Sequence, residues 1–127
     1  MKRIIHTTRA PEAVGPYSQA VEINGTLYIS GQIPIDPVTG KVIEGDIREQ
    51  TAQVMKNIAA ILEESGYDFS GVIKSTCLLT DMNHFADMNE VYAGYYPQDP
   101  PARATYAVAG LPLGVLVEIE TIAVKPA

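Results

Sequence analysis

The sequence predicts an α+β fold, a single mixed β-sheet with two helices packed on one face. Three observations predict it. The apolar period switches from alternating to helical and back twice along the chain. Both helical segments are amphipathic, so two helices cover only one face of a five- or six-stranded sheet. The strands nevertheless carry apolar residues on both sides, which asks for a second cover. The 127 residues suffice for one domain, taken as 1–127, with a sizeable core.

Each element follows in order. "RIIHT" (3–7) reads as a strand and "TRAPEAVGPYS" as a loop. "QAVEINGTLYISGQ" is two β-rich runs around Asn24-Gly25, a hairpin signal because both turn residues tolerate positive φ. "IPIDPVTGKVIEG" reads as a loop on its prolines and glycines. Asp46 is placed to cap a helix, with Glu49 completing a capping box. Ile47, Thr51, Val54, Ile58, Ile61 and Leu62 keep helical spacing until Gly66, a C-terminal stop. "VIKSTCLLT" (72–80) is a strand, with Val72 and Leu78 assigned to one side and Ile73, Cys77 and Leu79 to the other. Asn83 is expected to cap a second helix whose Phe85, Met88, Tyr92 and Tyr95 share a face, with Pro97 just beyond it. Two closing strands, about 103–109 and 115–124, flank "GLPLG". The order is β-β-β-α-β-α-β-β. No segment is left to cover the second sheet face, so another copy of the chain is expected there, in a closed homo-oligomer.

Composition narrows the function classes. A hydrophobic content of 46 % with 19 % charged residues is that of a globular protein. No apolar stretch approaches the roughly 20 residues of a membrane span, and the N-terminus lacks the apolar core of a secretory signal. A single cysteine, Cys77, excludes an internal disulfide and fits a reducing, cytoplasmic setting; mid-strand, it reads as a packed core thiol. The net charge is −6 and the nine Lys and Arg are scattered, which argues against a polynucleotide ligand. A local cationic pocket for a small anion remains compatible with that charge. His6, His84 and Cys77 lack metal-ligand spacing, and neither a phosphate-binding loop nor a nucleophile elbow occurs, so no metal and no cofactor is expected.

Two places carry chemistry. In "DPPARATYAV" (99–108) the prolines stiffen a loop-to-strand junction, where Arg103 can be aimed. Taken alone, it reads first as a surface arginine in a solvated ion pair. In "VLVEIETIAV" Val117, Ile119, Thr121 and Ala123 point one way, and Glu118 and Glu120 the other, with Leu116, Ile122 and Val124. If the first group packs on the helices, both carboxylates face the subunit interface, their Cβ atoms roughly 7 Å apart at the usual strand rise. A wet rim or a salt-bridged interface is the alternative reading.

"PPARATYAVAGLPLGVLVEIETIAV" resembles the C-terminal signature of the Rid family (YjgF, or endoribonuclease L-PSP). "GPYSQA" (15–20), "YISGQIP" (28–34), "DIREQTAQVMKNI" (46–58) and "MNEVYAGYY" (88–96) extend the likeness over nearly the whole chain, in the right order. The resemblance implies a homotrimer of chorismate-mutase-like subunits, with sheets lining a central barrel and clefts between chains. Its best-understood branch, RidA, hydrolyses 2-iminopropanoate and 2-iminobutanoate to pyruvate or 2-oxobutanoate plus ammonia. These imines form from enamines released by pyridoxal-phosphate dehydratases.

By that resemblance Arg103 is the carboxylate-binding arginine, whose planar fork lysine does not reproduce. Glu118 is the acid that orients water and relays a proton to the departing nitrogen, and Glu120 is expected to raise one carboxylate's pKa by repulsion. With their two strands taken as adjacent and antiparallel, Arg103 and Glu118 are expected to reach one cleft. Tyr17 matches a tyrosine lining that cleft, and Asn89 a helix asparagine near the ligand. Gly31 matches a glycine that lets backbone approach the ligand, although a bulge would equally explain it. Thr105 departs from the cysteine of many bacterial members, a change without consequence if the position acts through its backbone. Two other classes stay open: a sensor that binds 2-oxo acids to regulate a partner, and a ribonuclease. A nearby acid argues against the first and the acidic charge against the second.

Overall fold

The change of period at Asp46 becomes a 19-residue helix, α1 (Ile47–Ser65), against which the rest of the fold packs. The computed structural model describes residues 1–126. The capping box is formed: the Asp46 carboxylate accepts from Glu49 N at 3.0 Å, and Glu49 accepts from Asp46 N at 3.3 Å. Gly66 ends the helix at φ 81°, in the left-handed region where a side chain would be strained. Ile47, Thr51, Val54, Ile58, Ile61 and Leu62 are all buried.

The strands are β1 (Arg3–Ile5), β2 (Ala20–Ile23), β3 (Thr26–Gln32), β4 (Ile35–Asp36), β5 (Lys41–Val42), β6 (Val72–Leu79), β7 (Ala102–Ala107) and β8 (Val117–Val124), with α2 (Phe85–Ala93) between β6 and β7. Six of them form one sheet, in the order β1-β2-β3-β8-β6-β7. Every neighbouring pair is antiparallel except β6–β7, which makes the sheet mixed. The α+β class, the single main sheet and the order of its elements agree with the sequence reading.

Four local expectations are corrected. The 33–45 segment is not all loop, because Ile35–Asp36 pairs with Lys41–Val42 in a small hairpin. Asn83 does not cap the second helix: Asp81 accepts from Asn83 N at 2.8 Å and starts a short turn that leads into α2. The sides assigned in β6 fail at its first residues. A register shift between Val72 and Lys74 inserts Ile73 as an extra, exposed residue, so buried Val72 faces the helices with Cys77 and Leu79, while Leu78 faces away. Finally, β7 and β8 are not neighbours, since β6 lies between them.

Register defines two rows across the sheet. Ile5, Ala20, Ile29, Thr121, Ser75 and Arg103 stand side by side, and all but Arg103 are buried beneath the helices. On the opposite face Ile4, Val21, Tyr28 and Ile122 form a second apolar row. Ile4 is 53 % and Tyr28 49 % exposed. The helices leave this face bare, as the patterning of the strands required.

Candidate active site

Glu118 and Arg103 are brought to opposite faces of the sheet. Glu118 pairs across β6 with Leu78 and shares its outward face, while Arg103 pairs with the fully buried Ser75 and faces the helices. The two positions are two strands apart and three residues out of step, because Leu78 and Ser75 mark their places on β6. That puts them roughly 10 Å apart along the strands and about 10 Å across them. The expected adjacency of their strands is therefore wrong, and within one chain the two side chains do not meet.

Each anchors its own cavity. The first, about 630 Å³, is lined by Tyr17, Gly31, Glu118 and Glu120, with Glu12, Pro112 and Leu113 around them. Glu118 lies across Gly31: a Cβ built there would stand 2.9 Å from Glu118 Cδ, and closer still to Oε2. A side chain there would displace the Glu118 carboxylate. A register shift between Ile29 and Gln32 puts a bulge at Gly31, which is the second of the two expected accounts. Burial raises the Glu118 pKa above the ordinary carboxylate value, and the charge of Glu120 adds to the shift. Repulsion was expected as the cause; desolvation is the larger one.

Tyr17 sits on the loop between β1 and β2, and its hydroxyl accepts from Val14 N at 3.3 Å. The buried Gln19 holds that loop. Its Nε2 donates to the carbonyls of Thr7 (3.0 Å), Ala10 (3.3 Å) and Pro11 (2.8 Å), and its Oε1 accepts from Thr7 N at 2.7 Å. Ser30 Oγ donates to Ser18 O at 2.6 Å, tying the loop to the strand that carries Gly31.

The second cavity, about 560 Å³, is lined by Asn89, Tyr92, Ala93, Tyr96, Pro100, Pro101 and Arg103. The guanidinium Cζ lies 5.0 Å from the Tyr92 ring centroid and 5.6 Å from that of Phe85. Arg3, Arg9 and Arg48 all pair with carboxylates, whereas Arg103 has no ion pair among the described residues. Four buried polar atoms find no hydrogen-bond partner there: Asn89 Oδ1, Tyr92 OH, Tyr96 OH and Thr105 Oγ1. Three of those residues line this cavity, and Thr105 is two residues along β7 from Arg103. The Tyr92 and Tyr96 hydroxyls lie close to each other and to Ser75, so the cavity beside Arg103 has a polar floor. Cys77 is buried, and burial pushes its thiol up to about 11, which suits a packed core residue. Among the described residues no group of three or more His, Cys, Asp or Glu side chains is placed to hold a metal ion.

Sequence reasoning missed Phe85 and Tyr92 as companions of Arg103, having read them as core. The strand–helix–strand order of 72–107 was the available signal, since a helix joining two strands of one sheet is the usual parallel crossover. A parallel β6–β7 pair carries Arg103 under α2.

A mixed sheet with both helices on one face, a lone arginine beneath them and a carboxylate on the bare face define a small α+β protein whose site residues fall into two halves. The chain belongs to the endoribonuclease L-PSP family, whose model matches residues 7–125. A RutC family protein of Pyrococcus horikoshii is 55 % identical over 125 residues, covering 98 % of this chain and 99 % of that protein. The 2-iminobutanoate/2-iminopropanoate deaminase of Mus musculus is 50 % identical over 125 residues, covering 98 % of this chain and 93 % of the mouse protein. A crystal structure of a Thermotoga maritima protein described as an endoribonuclease superposes with a TM-score of 0.97 at 49 % identity, covering both chains completely.

Proposed function

We propose that this protein hydrolyses reactive 2-imino acids, 2-iminopropanoate and 2-iminobutanoate, to 2-oxo acids and ammonia. The observation that carries the reading is Arg103, the arginine without an ion pair among the described residues, held in a cavity with a polar floor. Its fork is free to take a small carboxylate in two parallel hydrogen bonds. The half-buried Glu118, its pKa raised, suits proton exchange nearer neutrality than an ordinary glutamate. The mouse relative's name supports the same reaction.

In this reading the substrate carboxylate sits on Arg103 while a water hydrogen-bonded to Glu118 attacks C2. Glu118 takes the water's proton as the C–O bond forms and passes it to the imine nitrogen, giving a neutral carbinolamine. It then takes the carbinol hydroxyl proton as the C=O bond forms and delivers it to the amino nitrogen as the C–N bond breaks, releasing ammonia and a 2-oxo acid. Water is the only co-reactant. Because Arg103 and Glu118 face opposite sides of one sheet, the working cleft joins the Arg103 half of one subunit to the Glu118 half of another. The apolar row on the bare face supports this assembly, taken as a homotrimer. Asn89 and Thr105 then belong to the arginine's half, and Tyr17 and Gly31 to the glutamate's.

The same reading takes the protein to be cytoplasmic; among the described residues no helix is long and apolar enough to cross a membrane. The net charge of −6 argues against RNA as the substrate. The test couples a pyridoxal-phosphate threonine or serine dehydratase to this protein and follows free imine, trapped with semicarbazide, beside 2-oxo acid. Faster 2-oxo acid formation with less trapped imine is expected. No change at any concentration of the protein would refute the activity.

A further inference from the structure

The guanidinium of Arg103 is positioned without an acid. An arginine side chain has many rotamers, and the usual way to fix one is a carboxylate partner, as Arg3, Arg9 and Arg48 have. A carboxylate would occupy the N–H donors along the guanidinium edge, the same donors a substrate carboxylate needs. Aromatic rings hold the group differently, by its face, and leave all the edge donors free. Arg103 has rings where the other three have carboxylates: its Cζ lies over the Tyr92 and Phe85 rings, 5.0 and 5.6 Å from their centroids, and it makes no ion pair among the described residues.

The rings are themselves fixed. Tyr92 is buried and packs on Tyr96 with centroids 4.8 Å apart, and Tyr96 meets Phe69 edge-on at 5.5 Å. A continuous aromatic run thus leads from Phe69, just before β6, to the guanidinium. Seven residues separate Phe85 from Tyr92, two turns of α2, so both rings come from the same side of one helix. The contact with Arg103 uses the Tyr92 ring, over which the guanidinium carbon lies.

We infer that Phe85 and Tyr92 form an aromatic cradle that aims Arg103 at its ligand, and that they are positioning residues for carboxylate binding. The inference deepens the imine-hydrolase reading and rests on it for the ligand, but the cradle itself is measurable without any ligand. A cation–aromatic contact contributes about 0.5–2 kcal/mol, or roughly a 2- to 30-fold change in binding.

The experiment uses the intact protein and two readouts. In the ¹H–¹⁵N spectrum, the Arg103 Nε–H, assigned by its absence in Arg103→Met, is expected upfield from ring currents. Tyr92→Leu and Phe85→Leu should each reduce that shift and weaken 2-oxobutanoate binding about 2- to 30-fold. In the coupled assay the loss should fall on KM more than on kcat. Tyr92→Phe should restore both the shift and the affinity. If Tyr92→Leu does not fold, the half-buried Phe85 still tests the cradle. Wild-type affinity in both leucine variants, an unchanged Nε–H shift, or failure of Tyr92→Phe to restore either would overturn the inference. A wild-type protein that shows the upfield shift but neither binds 2-oxobutanoate nor hydrolyses imines would refute the proposed function and leave the cradle standing.

Discussion

Gly31 and Glu118 show a constraint that acts between side chains rather than on the backbone. Nothing about the φ of Gly31 demands glycine; the space its missing Cβ leaves is filled by Glu118. Gly31→Ala should therefore push the carboxylate aside while the fold survives. The expected loss of turnover is about 10²-fold, the scale of a group misplaced by about 1 Å, with unchanged circular dichroism as the control. Glu120 acts through charge. Because it raises the Glu118 pKa, Glu120→Gln should lower it and move the acid limb of the kcat/KM profile to lower pH. The limb should remain above the ordinary carboxylate range, since burial is the larger cause. A limb that moves upward or stays fixed would deny the coupling. Rigid prolines and a strict strand alternation single out Arg103 and Glu118 in the sequence, but their proposed roles came only from the family resemblance. The reason for Gly31 was not legible, because it depends on the pairing of β3 with β8, far apart in the chain.

Local chemistry made α1 readable to the residue, cap to cap, while β6 and α2 were misread where the signal was not local. A β-bulge carries no period of its own, so the sides of Val72 and Ile73 were assigned as if the strand were regular. Asp81 displaced Asn83 as the capping residue because a short turn precedes α2, and either side chain is a good cap. Near the β1 edge of the sheet lies a charge cluster that the sequence did not announce. Glu22 on β2 accepts from Arg3 Nε at 3.0 Å and from Tyr67 OH at 2.6 Å, and it lies 3.4 Å from Lys125 Nζ. Hydrogen bonds from Arg3 and then Tyr67 are the main causes that hold its pKa down at about 2. A depressed carboxylate stabilises the fold above its unfolded pKa, and the contribution fades as pH falls toward the folded value. Glu22→Gln should thus lower Tm at pH 7, with the difference from wild type shrinking between about pH 4.5 and pH 2. A difference independent of pH would mean the cluster acts by packing alone.

For the molecule as a whole, the bare sheet face was legible because no helical segment remained to cover it. The number of copies proposed to cover it was not, since pattern alone counts no subunits. A trimer should run at about 41 kDa, three times the 13.7 kDa chain. Tyr28 is the place to test it, because it stands in the exposed row, whereas Leu116 also packs on the core. Tyr28→Asp would bury an unpaired charge at each interface and should yield folded monomers without turnover, read by sedimentation beside the coupled assay. Active monomers would contradict the assembly.

The central claim is that one cleft takes Arg103 from one subunit and Glu118 from another, and subunit mixing tests it most directly. Arg103→Met and Glu118→Gln should each be nearly inactive as homotrimers. Unfolded together in equal amounts and refolded, they should regain about a quarter of wild-type turnover, because random assembly reunites an intact arginine with an intact glutamate in roughly one cleft of four. A cleft built from a single chain would gain nothing by mixing, so turnover no higher than that of the separate variants would contradict the account.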